Sequence, residues 1–488
     1  MRKLKAFFAG LTALSCLCAS CLPMTEQIQP VCSMIASAEE EEITTSGTCG
    51  DNLTWNFEES TGTLTINGTG EMEDWKDYKE SPWYDLREDI EKVILEDGIT
   101  TIGRVSFHSC YALEFVTIPN SVTAIGVGAF YCTPWLETKR NENPLVIING
   151  ILIDGITCTD NVVIPDSVTK IGDGAFFLCS LKSIVIPDSV TTIGDEAFNG
   201  CDALESITIP DSVASIGDRA FMCCKFLTSI YVDEYNLNYS SQDGILFDKN
   251  KSKLIAFPIK NSITEYIIPN SVTTIGEKAF YCCNSLTSVI ISDSVTSIGD
   301  SAFDRCYALK SVTIPDSVIS IGDSAFIKCD ALESVTIPDS VISIGDSAFS
   351  FCDSLTSIYV DKNNLNYSSK DNILFDKNKS ELITFPSKNT IIKYIIPDSV
   401  TKIGKYAFYN CTFLISITIE NPECEIWDSK YAIPDTAIIY GYNNSTAQAY
   451  AEKYNRNFLS LGTAPASATE INFQNFLFFM LSIMRFLT

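Results

Sequence analysis

Residues 311–326 read SVTIPDSVISIGDSAF, and residues 334–349 read the same sixteen letters at an offset of 23 residues. Self-similarity at a fixed period of this size restricts the chain to a solenoid. One unit cannot bury its own apolar face, but stacked units share a continuous core. In the unit that starts at Leu309, Val312 and Ile314 alternate with Ser311 and Thr313, which predicts a short half-buried strand. Pro315 ends it, since proline cannot donate to a ladder. Pro-Asp-Ser then turns the chain, with Asp316 expected to hold the turn through its side chain. Val318 and Ile321 form a second inward pair, Gly322 is expected at positive φ, and Phe326 and Cys329 close the coil.

The same slots recur along the chain. Glycines stand at 103, 126, 172, 194, 217, 276, 299, 322, 345 and 404, and phenylalanines four residues after each of them. Stacking predicts one long phenylalanine column, with equivalent atoms about 5 Å apart. In its leucine, valine, isoleucine-proline, valine, isoleucine-glycine, alanine-phenylalanine and cysteine positions, the stretch from about 90 to 420 resembles the bacterial leucine-rich repeats of the BspA type. The resemblance implies a β-rich leucine-rich-repeat solenoid on secreted or surface proteins, some of them adhesins.

Composition narrows the setting. The formal net charge is −27, and loss of residues 1–38 would remove three positive charges and one negative, leaving −29. Such a surface repels phosphate backbones and anionic membranes, so no nucleic-acid partner is expected. Residues 1–38 read as an export signal: Arg2, Lys3 and Lys5, then an apolar run from Ala6 to Leu22, then Ala36-Ser37-Ala38 before the acidic stretch Glu39–Glu42. Lipid attachment at Cys21 is the rival reading. The expected location is therefore secreted or cell surface. Of 19 cysteines, 15 follow residue 38, and most occupy the slot of Cys329, which reads as a column of small buried thiols. Adjacent coils would bring such cysteines within disulfide range. The neighbouring pairs Cys223-Cys224 and Cys282-Cys283 lack the spacing of a zinc knuckle.

Taken in order, residues 39–89 form an acidic leader and an N-terminal β cap, with a hairpin around Ser60-Thr61-Gly62. Residues 90–420 form the solenoid, with variant coils or β-hairpin inserts near 133–160, 231–264 and 359–392. The last two inserts match each other at an offset of 128, as YVDEYNLNYSSQDGILFDKNKSKLIAFP and YVDKNNLNYSSKDNILFDKNKSELITFP. In the first, Ile245–Phe247 and Leu254–Phe257 read as two strands. Residues 421–462 form a C-terminal cap with a helix led by Ser445. Residues 463–488 are a small-residue linker and a hydrophobic tail, too short and too interrupted to read as a membrane span, which is the only segment expected to touch a membrane.

Little in the chain points to chemistry. His108 is the single histidine and falls in a variable surface slot. Aspartate rows after the proline and after the glycine could hold Ca²⁺ or pose as a glycosidase pair, but turn formation accounts for them. No cofactor or metal is expected, and no catalysis. Recognition is expected on the outward side of the first strand, by Thr208, Tyr231, Lys310, Thr313, Glu333, Thr336 and Tyr359, with Tyr239 and Tyr367 extending the patch. The partner would be an extracellular protein or a glycan. The alternatives are an accessory binding domain of a carbohydrate-degrading surface assembly and, remotely, a glycan-active enzyme.

Overall fold

The computed structural model describes residues 44–464; the export segment, the Cys21 alternative and the hydrophobic tail lie outside the described residues. Each regular coil runs through two strands and a turn. The first strands stack in parallel, as Ser288–Ile290 does on Ser311–Thr313 with Val289 opposite Val312. The second strands are two residues long, and Ser297, Ser320 and Ser343 lie in one register. The turn adds a third ladder. The Ser301, Phe303 and Arg305 amides donate to the carbonyls of Asp323, Ala325 and Ile327 in the next coil, at 2.8, 2.7 and 2.9 Å. Three bonded rows per coil leave little backbone without a partner, which lets so short a unit stack.

Two details of the turn differ from expectation. The glycine slot is not at positive φ. Gly322 is glycine because a Cβ there would lie 2.4 Å from Asp300 Oδ1 and 2.6 Å from the Asp300 nitrogen. The left-handed backbone falls two residues later, at Ser301, Ser324 and Ser347 (φ 52°, 54° and 58°), and again two residues after the phenylalanine, at Arg305, Lys328 and Phe351. The proline turn closes through Val318 N–H to Pro315 O at 3.1 Å. There it is the Ser317 hydroxyl, rather than Asp316, that ties it to the coil before, donating to Val295 O at 2.8 Å.

The phenylalanine slots are buried and stack nearly face to face. Ring centroids are 4.7 Å apart for Phe280–Phe303, 5.0 Å for Phe303–Phe326 and 5.5 Å for Phe326–Phe349. Burying each ring contributes roughly 1.5–3 kcal/mol. The cysteine slot is more than a filler: Cys306, Cys329 and Cys352 donate to the carbonyls of Phe280, Phe303 and Phe326 at 3.0–3.2 Å. All fifteen cysteines among the described residues are unpaired. Burial pushes the Cys352 thiol up to about 12, so it is a neutral donor.

The column is not single. It is interrupted at three places, and the buried residues fall into four clusters. At the first break, between Phe130 and Phe176, the chain forms a hairpin (Val146–Ile148 with Ile151–Asp154) and a helix, α1 (Pro134–Glu142). The Thr133 hydroxyl caps α1 by accepting from Leu136 N–H at 3.2 Å, and Trp135 packs 4.6 Å from Phe130. Arg140 holds buried Asp154 with bonds of 3.0 and 2.6 Å. The other two breaks are the matched inserts. Each has three antiparallel strands rather than two: Tyr239–Gln242, Ile245–Asp248 and Lys253–Ala256 in the first, and Tyr367–Lys370, Ile373–Asp376 and Glu381–Thr384 in the second. The third strand of each joins the second-strand row in parallel. Phe257 lies beyond its strand and restarts the column, 5.0 Å from Phe280.

At the N-terminal side, Ser46–Gly50, Leu53–Glu58 and Thr63–Gly68 are antiparallel, and the last of them pairs in parallel with Lys92–Leu95. Trp83 stacks on Phe107 at 5.4 Å. At the C-terminal side Ile438–Asn443 continues the first-strand row. It is followed by α2 (Thr446–Lys453), where Ser445 accepts from Gln448 N–H. A final strand, Phe458–Thr463, takes up Gly462 and Thr463, which the sequence reading placed at the boundary of a linker.

Candidate recognition surface

The first-strand row turns one side chain per coil inward and the next one outward. The outward slot that precedes Ile-Pro in most coils and Val-Asp at the two inserts is filled by Thr208 and Tyr231 in adjacent coils, directly opposite each other. Thr336 and Tyr359 are opposite each other in the same way. Tyr231 and Tyr359 are 53% and 52% exposed, so about half of each ring is free for contact. Thr313 shares this slot and is exposed. Lys310 and Glu333 are exposed one coil apart, and Glu333 N–H donates to Lys310 O at 3.3 Å.

The same slot carries apolar residues that the sequence reading passed over. Val163 lies opposite Val185, and Ile267 opposite Ile290, which lies in the coil before Thr313. Val163, Ile267 and Ile395 are among the most exposed large apolar side chains of the chain, at 67%, 66% and 62%. The signal was present: VVIP, YIIP and VIIS stand where other coils read VTIP.

Tyr239 and Tyr367 do not extend this patch. They belong to the inserts, which join the second-strand row. The Tyr239 hydroxyl accepts from Ile216 N–H at 2.8 Å, and the Tyr367 hydroxyl from Ile344 N–H at 2.7 Å. Their role is to fasten each insert to the coil before it. Burial raises the Tyr367 hydroxyl above its ordinary range.

Beside each insert the core opens. The first cleft, about 390 Å³, lies between the turn at Arg219–Cys223 and the insert residues Ile255–Phe257. The second, about 280 Å³, is lined by Ile344, Asp346, Tyr367 and Lys405 among others. Arg219 reaches across the first mouth to Glu277 at 3.0 Å.

The candidate chemical groups have structural tasks. Asp195 and Asp218 donate their amides to the carboxylates of Asp173 and Asp195 at 2.9 and 2.8 Å, so the aspartates after the glycine hold successive coils together. His108 is not a free surface group. It is half-buried, stacks on Tyr78 at 4.8 Å, and burial lowers its pKa. The Ser109 hydroxyl touches its Nδ1 at 2.8 Å, but Ser109 is 3% exposed, out of reach of a substrate.

The profile of the BspA type leucine rich repeat region (6 copies) matches residues 80–151, 154–271, 253–381 and 378–432. Among solved structures, the chain is similar to a leucine-rich repeat protein from Eubacterium ventriosum, at 26% identity and TM-score 0.45, over 80% of this chain and 89% of that one. A leucine rich cell surface protein from Faecalibacterium prausnitzii is 28% identical at TM-score 0.45, over 77% of this chain and 95% of that one. The pneumococcal vaccine antigen PcpA is 17% identical at TM-score 0.44, over 87% and 100%. No curated protein matches.

Proposed function

Because the chain belongs to the BspA-type leucine-rich-repeat family, we propose that it is an exported, non-catalytic binding protein that engages an extracellular protein or glycan through its first-strand row. Family membership supports recognition as the role. The basic start, apolar run and small-residue site within residues 1–38 support export. The observation that carries the reading is the outward column in which exposed valines, isoleucines, threonines and two tyrosines lie in register across adjacent coils. A soluble surface gains nothing by aligning apolar side chains in this way. A contact surface does, because each coil adds one more side chain to the same continuous interface. The tyrosines stand at the coils where the inserts begin, and a tyrosine ring brings large contact area with a polar tip.

The test is to present the purified chain to an array of glycans and extracellular proteins, in parallel with Tyr231→Ala/Tyr359→Ala. Binding that falls at least tenfold in the double variant supports this face. Binding that survives unchanged moves recognition elsewhere on the molecule.

A further inference from the structure

The inserts leave the third hydrogen-bond ladder unfinished. In an interior coil, Ser301, Phe303 and Arg305 each donate an amide to the next coil. The same three donors at the first insert are Arg219, Phe221 and Cys223, and none of them has an acceptor among the described residues. All three line the first cleft. Phe221 is 7% exposed there, whereas Phe303 and Phe326 are fully covered by the rings of their neighbours. Three donors on alternate residues face one way, on the left-handed turn backbone that every coil has here, with φ 58° at Arg219 and 60° at Cys223. The acceptors that match are alternate carbonyls of a segment in the same turn, as Asp323, Ala325 and Ile327 are in an interior coil, with left-handed backbone at Ser324 and Lys328.

The other two breaks show what fills such a space. At the first break α1 lays Trp135 and Leu136 over Phe130, and only about 10 Å³ remains. At the second insert Phe351 occupies the slot that Cys223 has in the first. It packs 3.8 Å from Tyr409 and 4.9 Å from Tyr406, across from the turn before to the coil after. The first insert has the small Cys223 in that slot, so Tyr281, the counterpart of Tyr409, lines the cleft with a thiol rather than a second ring beside it. Its mouth is spanned by Arg219 and Glu277, an exposed pair of the kind that opens readily.

We propose that the cleft at the first insert binds a peptide segment of a partner protein that takes up the turn of one coil. Three alternate carbonyls of the peptide accept from the amides of Arg219, Phe221 and Cys223, and one phenylalanine-sized side chain covers Phe221. The chain's own coils are the template. Where a coil follows, Asp323, Ala325 and Ile327 supply those carbonyls and Phe326 supplies the ring, 5.0 Å from Phe303.

The probe is a synthetic peptide, IGDSAFIK, with the sequence of residues 321–328, added to the full chain while amide exchange is followed by mass spectrometry. Exchange at 219–223 is expected to slow at least tenfold, with no change at 347–351. A peptide with alanine for phenylalanine is expected to give no protection. Cys223→Phe, which borrows the side chain that the second insert tolerates at 351, is expected to abolish it. The proposal is overturned if millimolar peptide leaves 219–223 unprotected. Protection that persists with the alanine peptide or in Cys223→Phe overturns it equally. The alanine peptide is tested on the unaltered chain, so that arm is independent of the variant's folding.

Discussion

Tyr231–Pro258 and Tyr359–Pro386 fold into the same three strands, yet the clefts beside them differ in size and in closure. What the two share is bonded backbone. Asn236 and Asn364 are fully buried, and each donates to two carbonyls of the preceding coil and accepts two amides of its own insert. What differs lies outside the inserts, in the turn slots of the flanking coils: Cys223 against Phe351, Arg219 against Ser347, and Lys278 against Tyr406. The comparison teaches that an insert fixes where the core is interrupted, whereas side chains of the neighbouring coils decide whether the interruption is closed.

This contrast can be broken by substitution. The largest effect is expected in the column itself. Phe303→Ala, between two stacked rings, should cost about 4 kcal/mol, and Phe221→Ala, at the open end of its stack, about 2 kcal/mol. Urea unfolding of each variant checks the order, and equal losses would mean that the stack does not end at the cleft. Next come the asparagines. Asn236→Ala and Asn364→Ala should each cost about 3 kcal/mol, because several buried groups lose their partners at once. Similar losses at both sites would sharpen the statement that the inserts share one anchoring; a loss at only one would break it. The smallest effect is Tyr239→Phe or Tyr367→Phe, about 1 kcal/mol for one hydrogen bond, read as a small shift of the same unfolding curve.

Much of this fold was legible, because the period of 23 puts identical residues in identical surroundings and each slot reports its environment many times over. Val312, Ile321 and Phe326 read as buried and are buried. The failures share a cause: a single repeat unit does not display what its neighbour does to it. Gly322 is set by the backbone of the coil before, not by its own φ. The cysteines find acceptors one coil away. Tyr239 and Tyr367 lie close in sequence to Tyr231 and Tyr359, but each insert carries them across to the second-strand row. The break at Phe130 was legible as an irregular spacing, while α1, which plugs it, was hidden in a segment without a repeat partner. The clefts left no sequence signal except the absence of a ring at Cys223, which is visible only once the two inserts are aligned.

The coils stack by a third row of bonds, and the inserts interrupt that row. Amide hydrogen exchange of the free chain measures this directly. The amides of Ser301, Phe303, Ser324 and Phe326, bonded to the next coil, should exchange at least a hundredfold more slowly than those of Arg219, Phe221, Ser347 and Phe349 in the equivalent slots. Equal rates in the two groups would contradict both the stacking and the clefts that follow from it.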